Sequence, residues 1–307
     1  MGIGGFRSPR ARQAYDAAYD TALRSLPAPA EVHDVPTGFG TVRAYRFGPA
    51  AGPPLVLLPG RAGTAAMWAP NLAAFAAHHP VYALDLLGEP GRSAQRAPIR
   101  TAADQAAWLA ETLAVLDLDG VHLAGVSFGG WLAANLAIRS PARLASCTLL
   151  DPAATLGPFP PALLVRTALS LLPVVSRWTR PAFLSWISGG VPVPEDDPVA
   201  ALIDAGMRDF RIALPTPAPF TGAQLRTIAV PVLALVAGRS VIHRARPAYE
   251  RARALIPDVE AELWPAATHA ISGEHADAVN ARVLRFIADR TRSGAPASCR
   301  EGTEDAP

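Results

Sequence analysis

The sequence predicts an α/β protein: a mostly parallel central sheet with helices on both faces, and a helical cap inserted into it. Three observations predict it. Continuous apolar runs of strand length recur at 54–58, 81–86, 121–126, 144–150 and 230–236, the pattern of strands buried on both faces. Stretches of helical length separate most of them, and strands alternating with helices build a parallel sheet with both faces covered. Residues 154–222 then break the rhythm: they are rich in Pro, Leu, Trp and Phe and hold no legible strand.

The elements follow in order. Residues 10–26 read as an amphipathic helix, with Ala14, Ala18, Ala22 and Leu26 at helical spacing. Residues 31–36 and 40–47 alternate and predict a hairpin turned at Thr37-Gly38-Phe39. The run 54–58 ends at Pro59-Gly60. Helices are expected over 65–77, 101–116, 128–139 and 273–290, and a last short strand over 260–264. The divisions expected are a core over 1–153 with its N-terminal helix, a helical cap over 154–222, a second part of the core over 223–292, and a disordered tail over 293–307, which is rich in Ser, Gly, Pro and acids.

Composition narrows the function. Of 307 residues half are hydrophobic and 18% charged, enough to bury a sizeable core and too apolar for a disordered chain. The net charge is +2, all 28 basic residues are Arg, and they are scattered, so nucleic acid is not expected as a partner. The two cysteines, Cys147 and Cys299, make neither a disulfide framework nor a zinc site. No metal pattern, phosphate loop or dinucleotide fingerprint is present, so neither metal nor cofactor is expected; Glu195-Asp196-Asp197 reads as a solvated loop. No secretory signal is visible, and Arg166 and Pro173 interrupt the longest apolar stretch. A cytoplasmic monomer or homodimer without a membrane span is the expectation.

The chemistry centres on Gly125-Val126-Ser127-Phe128-Gly129-Gly130. A buried strand runs into this motif and a helix runs out. A Ser at such a turn stands beyond the carboxyl end of the sheet, between small residues that let strand and helix approach. The N–H of Phe128 opens the helix, where developing negative charge is favoured. The hydroxyl needs a base. Of seven histidines, His33, His78 and His79 lie upstream, His122 lies within a strand, and His275 falls one turn into the last helix. His269, in the loop after the last short strand, can reach the Ser127 side of the sheet and is the expected base. Asp151 closes the strand 144–150, ahead of Pro152. It is the expected acid that holds the His269 tautomer; an ordinary turn opener is the alternative. Asp85 and Glu89 are weaker substitutes.

With these pieces the chain resembles an α/β-hydrolase of the lipase and esterase type, over roughly residues 30–290. The resemblance rests on the strand leading to Pro59-Gly60, the stretch from Asp85 to Ser93, the Ser127 turn, the His269 loop and the helix over 274–287. It implies an acyl-enzyme mechanism with the order Ser, acid, His. Two departures stand out. Most relatives carry His-Gly where this chain has Pro59-Gly60. The residue after that Gly gives the second oxyanion N–H, here Arg61, whose side chain is expected in solvent, with an anionic substrate or an acidic neighbour as the alternative. The family usually places its acid after the strand matching 230–236, and 237–244 here contains no carboxylate, Ser240 or Val241 taking that place. Asp151 is the relocated acid, as in those family members that take it from the neighbouring strand.

The resemblance would place residues 154–222 as a cap above Ser127. Trp178, Phe183 and Trp186 from it, with Trp68 and Phe128 from the core, are the expected pocket walls for a hydrophobic small molecule. A serine hydrolase cleaving a carboxylic ester or thioester is the first reading. A biosynthetic thioesterase, lactonase, cyclase or carbon–carbon hydrolase would use the same site. A ligand-binding protein on a decayed hydrolase scaffold is the third.

Overall fold

The computed structural model describes residues 2–171, 176–190 and 196–294. In chain order the elements are β1 (Gly5–Phe6), α1 (Pro9–Leu23), β2 (Glu31–Thr37), β3 (Gly40–Phe47), β4 (Leu55–Leu58), α2 (Ala69–Ala76), β5 (Val81–Leu84), β6 (Ala94–Gln95), α3 (Ala102–Val115), β7 (Val121–Val126), α4 (Phe128–Arg139) and β8 (Leu144–Leu150). There follow α5 (Pro161–Leu171), α6 (Ser176–Ile187), α7 (Pro198–Asp209), β9 (Phe210–Arg211), α8 (Gly222–Arg226), β10 (Val232–Ala237), α9 (Ala245–Leu255), β11 (Val259–Trp264), α10 (Ile271–Glu274) and α11 (Ala276–Gly294).

The large sheet runs β11-β10-β8-β7-β4-β5-β3-β2. From β11 to β5 every pairing is parallel; β3 is antiparallel to both of its neighbours and β6 pairs on it. The continuous apolar runs are explained by their two destinations. Within β4, Val56 and Leu58 enter one core with Trp108 and Leu109 of α3 and Leu132 and Leu136 of α4. Leu55 and Leu57 enter the other, with Tyr15 and Tyr19 of α1, Phe75 of α2 and Phe286 of α11. Strand β10 splits in the same way, Val232, Ala234 and Val236 against Leu233 and Leu235. Alternate side chains face opposite ways, so a strand covered on both sides is apolar at every position.

Several boundaries differ from the sequence reading. The helix expected over 65–77 is a short 3-10 turn, Ala65–Trp68, followed by α2, because Pro70 sits at the first turn of a new helix. The helix expected over 273–290 is broken at His275, between α10 and α11. Asp197, read as loop, caps α7 by accepting from the N–H groups of Val199 and Ala200. The cap region contains a strand after all: β9 pairs antiparallel with β1, Phe6 opposite Phe210. Nothing periodic marks a two-residue strand in sequence. Of the expected tail, residues 295–307 lie outside the described residues, as do Glu195 and the side chain of Trp178. No described helix is long and apolar enough to cross a membrane.

Candidate active site

Ser127 stands between β7 and α4 with φ 54° and ψ −114°. A non-glycine residue held at positive φ stores of order 1–3 kcal/mol of strain. The flanking glycines make the turn possible. A Cβ on Gly125 would lie 2.2 Å from the Gly129 carbonyl oxygen, and one on Gly129 would lie 2.1 Å from that of Leu58. The Ser127 side chain makes no capping hydrogen bond to α4. Its backbone is tied to the end of the neighbouring strand: its N–H donates to Leu150 O at 3.0 Å, and its carbonyl accepts from Ala153 N–H at 2.9 Å. Asp151 lies between those two partners.

Asp151 is fully buried, also at positive φ, 42°. Its Oδ2 accepts from His269 Nδ1 at 2.6 Å and from Ser240 Oγ at 2.7 Å. Its Oδ1 accepts from the Ala237 N–H at 2.9 Å and from His243 Nε2 at 2.7 Å. Burial alone would raise this carboxyl, but hydrogen bonds from His243 and His269 outweigh it and hold it well below the usual carboxylate range. A charged carboxylate only accepts, so His269 carries its proton on Nδ1 and keeps the Nε2 lone pair free to act as a base. The His269 loop is fixed in turn. The N–H and hydroxyl of Thr268 both donate to Glu274 Oε2 at 2.8 Å, and Arg239 N–H donates to Ala267 O at 2.9 Å.

The loop after β4 runs beside Ser127: a Cβ on Gly60 would lie 3.4 Å from that of Ser127. Arg61 follows it. Its side chain takes the alternative of an acidic neighbour and not the expected place in solvent. The guanidinium lies 4.4 Å from the centroid of the Phe128 ring, with Nη1 3.5 Å from Oε1 of the buried Glu89. A cation on a ring face beside a buried carboxylate is held by both. Burial pushes the Glu89 carboxyl up, and Arg61 opposes that shift. Neither substitute acid serves the His269 ring. Glu89 accepts from Ala62 N–H, and Asp85 accepts from the N–H groups of Ala65 and Arg92 and from the Tyr19 hydroxyl.

The expected pocket walls divide. Phe183 and Trp186 join Leu163, Ala153 and Ile242 in a small apolar cluster where the cap meets the loops carrying Asp151 and His243. Trp68 instead lies in the main core, 1% exposed. The Phe128 ring carries the Arg61 guanidinium over it and stacks with Trp131. In this structure neither ring offers a ligand appreciable surface, because each is already covered by its own neighbours. Among the described residues no group of His, Cys, Asp and Glu could hold a metal ion.

The comparisons agree with this architecture. A model of the alpha/beta hydrolase family matches residues 55–282. The chain belongs to the α/β-hydrolase family. It is 32% identical over 278 residues to carboxylesterase YbfK of Bacillus subtilis (strain 168), covering 88% of this chain and 92% of that relative. A crystal structure of carboxylesterase CesB (YbfK) from Bacillus subtilis matches with a TM-score of 0.84 at 30% identity, over 91% of this chain and 99% of that one. The naproxen esterase (carboxylesterase NP) from Bacillus subtilis matches at 0.80 and 32% identity, over 89% and 96%. This α/β-hydrolase is accordingly an enzyme, a serine hydrolase of the carboxylesterase type.

The sequence reading of this α/β-hydrolase missed Ser240, His243 and Glu274. The only signal for the first two lay in the segment without a carboxylate: residues 237–244 supply donors to the Asp151 carboxylate instead of a carboxylate of their own.

Proposed function

We propose that the protein hydrolyses carboxylic esters of hydrophobic small molecules through an acyl-enzyme on Ser127. Ser127 Oγ attacks the ester carbonyl carbon while His269 Nε2 takes its proton. The charged Asp151 stabilises the imidazolium that results. The N–H groups of Phe128 and Arg61 hold the oxyanion. Collapse breaks the bond to the leaving alcohol, which departs with the proton from His269. Water, deprotonated by the same ring, then attacks the acyl carbon, and Ser127 recovers its proton as the acid leaves.

The single observation that carries this reading is the 2.6 Å hydrogen bond from His269 Nδ1 to the buried Asp151, at a strand end bonded to the backbone of Ser127. That bond also favours a working site over a ligand-binding scaffold that has lost its acid. The apolar cluster of Leu163, Phe183 and Ile242 supports a hydrophobic acyl or aryl group.

The test is labelling and turnover. A fluorophosphonate probe is expected to modify Ser127, and Ser127→Ala is expected to abolish both labelling and hydrolysis of p-nitrophenyl esters. Asp151→Asn is expected to lower kcat by about 10⁴-fold, the usual effect of leaving a triad histidine in the wrong tautomer. Full labelling and turnover in Asp151→Asn would remove Asp151 from the mechanism. Along an acyl series kcat/KM is expected to rise by up to about fourfold per methylene, since each one buried is worth about 0.8 kcal/mol. A flat series would point away from an apolar acyl site.

A further inference from the structure

Asp151 is gripped by more than a catalytic acid needs. Beyond His269 it receives a second imidazole: His243, 4% exposed, reaches Oδ1 with Nε2 at 2.7 Å. The two rings divide the carboxylate, His269 on Oδ2 and His243 on Oδ1. Each oxygen also takes one further donor, Ser240 Oγ on Oδ2 and the Ala237 N–H on Oδ1.

The proton on His243 follows from the acceptor it meets. A carboxylate has nothing to donate, so the hydrogen between them is on His243 Nε2. The far nitrogen, Nδ1, is buried and has no hydrogen-bond partner among the described residues. His243 therefore meets the site through one ring nitrogen only, as a donor to Oδ1.

A carboxylate free to turn about its Cβ–Cγ bond presents either oxygen, or neither, to the base. Fixing Oδ1 fixes Oδ2. We propose that His243, donating from Nε2, is a positioning residue for the reaction: it anchors Oδ1 of Asp151 so that Oδ2 faces His269 Nδ1. The segment 237–244, where the family's usual acid is missing, thereby supplies the brace for the relocated acid. This inference rests on the Ser127–Asp151–His269 reading.

The experiment compares His243→Leu, His243→Asn and His243→Gln with Asp151→Asn, reading kcat and KM separately on a p-nitrophenyl ester, with thermal melts to establish folding. Gln places an N–H close to where His243 Nε2 lies; Leu fills volume without a donor, and Asn is too short to reach Oδ1. Leu and Asn are expected to lose kcat by about 10²-fold, the scale of a misplaced catalytic group, with KM within about twofold. Gln is expected to recover kcat to within about fivefold of wild type. If Leu does not fold, the contrast between Asn and Gln carries the same reading. Wild-type kcat in folded Leu or Asn variants, with Asp151→Asn inactive, would overturn the brace and leave the triad standing. Equal losses in folded Asn and Gln variants would overturn the donor role. Full activity in Asp151→Asn would remove the triad reading, and this inference with it.

Discussion

Arg61 separates what a backbone does from what a side chain does. Its N–H is the proposed oxyanion donor, and any residue except Pro would supply that group. Its guanidinium lies over Phe128 and is the cation nearest Glu89, whose Oε1 has no hydrogen-bond partner among the described residues. Arg61→Ala is therefore expected to leave kcat within a few-fold and to destabilise the fold by about 1–3 kcal/mol, because it leaves a buried carboxylate unpaired. The sign with pH is definite. Burial already raises the Glu89 carboxyl above its unfolded value, and Arg61 restrains that rise. A carboxyl raised in the folded state favours folding as pH falls, so the Arg61→Ala deficit is expected to be largest at neutral pH and to shrink in acid. Urea melts of both proteins from pH 4 to 8 check it; a deficit that grows in acid would contradict the pairing. Arg61→Pro in a folded protein should instead lower kcat by about 10²–10³-fold.

At the scale of elements, β7 and β8 carry a second buried imidazole system, at the end of the sheet away from the site. His122 Nδ1 lies 2.8 Å from Ser146 Oγ, and the rings of His122 and His79 are 6.2 Å apart. Desolvation, with repulsion from His79 added, lowers His122 from 6.5 to about 4. Between those values the unfolded chain binds a proton that the folded one refuses, so stability should fall as pH drops from 6.5 towards 4, by about 1–3 kcal/mol. His122→Gln should flatten that slope in pH-dependent melts; an unchanged slope would place the acid sensitivity elsewhere.

The same strands show what was legible in the sequence and what was not. β4, β7, β8 and β10 were readable because two covered faces make every position apolar, and Ser127 because glycine spacing beside a strand end is local. That His269 and Asp151 meet was readable from their places at two strand ends. His243 and Ser240 were not, because their meaning lies in pairing. They are 92 and 89 positions from Asp151, and only the parallel register of β8 with β10 brings them to it. Phe128 and Trp68 are buried among core neighbours, and aromatic composition does not say which way a ring faces.

Across the whole molecule, residues 154–222 are tied to the rest of the chain at separate places. The Arg239 guanidinium reaches Gly189 O at 3.3 Å, beside the His269 loop. Within the cap Arg180 pairs with Asp204 at 2.8 Å. On the far side β1 pairs with β9, and Phe6 lies against both Tyr15 and Phe210. Removing residues 2–8 should leave β7, β8 and β10 intact while loosening α7. The expected outcome is a higher KM for long acyl esters, a kcat within about threefold of wild type and faster proteolysis near 196–211. Unchanged cleavage there would show that α1 alone holds the cap.

The β1–β9 pairing also orders events during synthesis. Arg7 bonds to the carbonyl of Arg208, 201 positions later. At roughly 5–20 residues per second, the first strand leaves the ribosome about 10–40 seconds before its partner exists. Until then Phe6, Tyr15 and Tyr19 have only part of their final cover. The segment around β1 therefore waits for the later-made β9 before its apolar side chains gain their final cover, while β10, β11 and α11 are still to come.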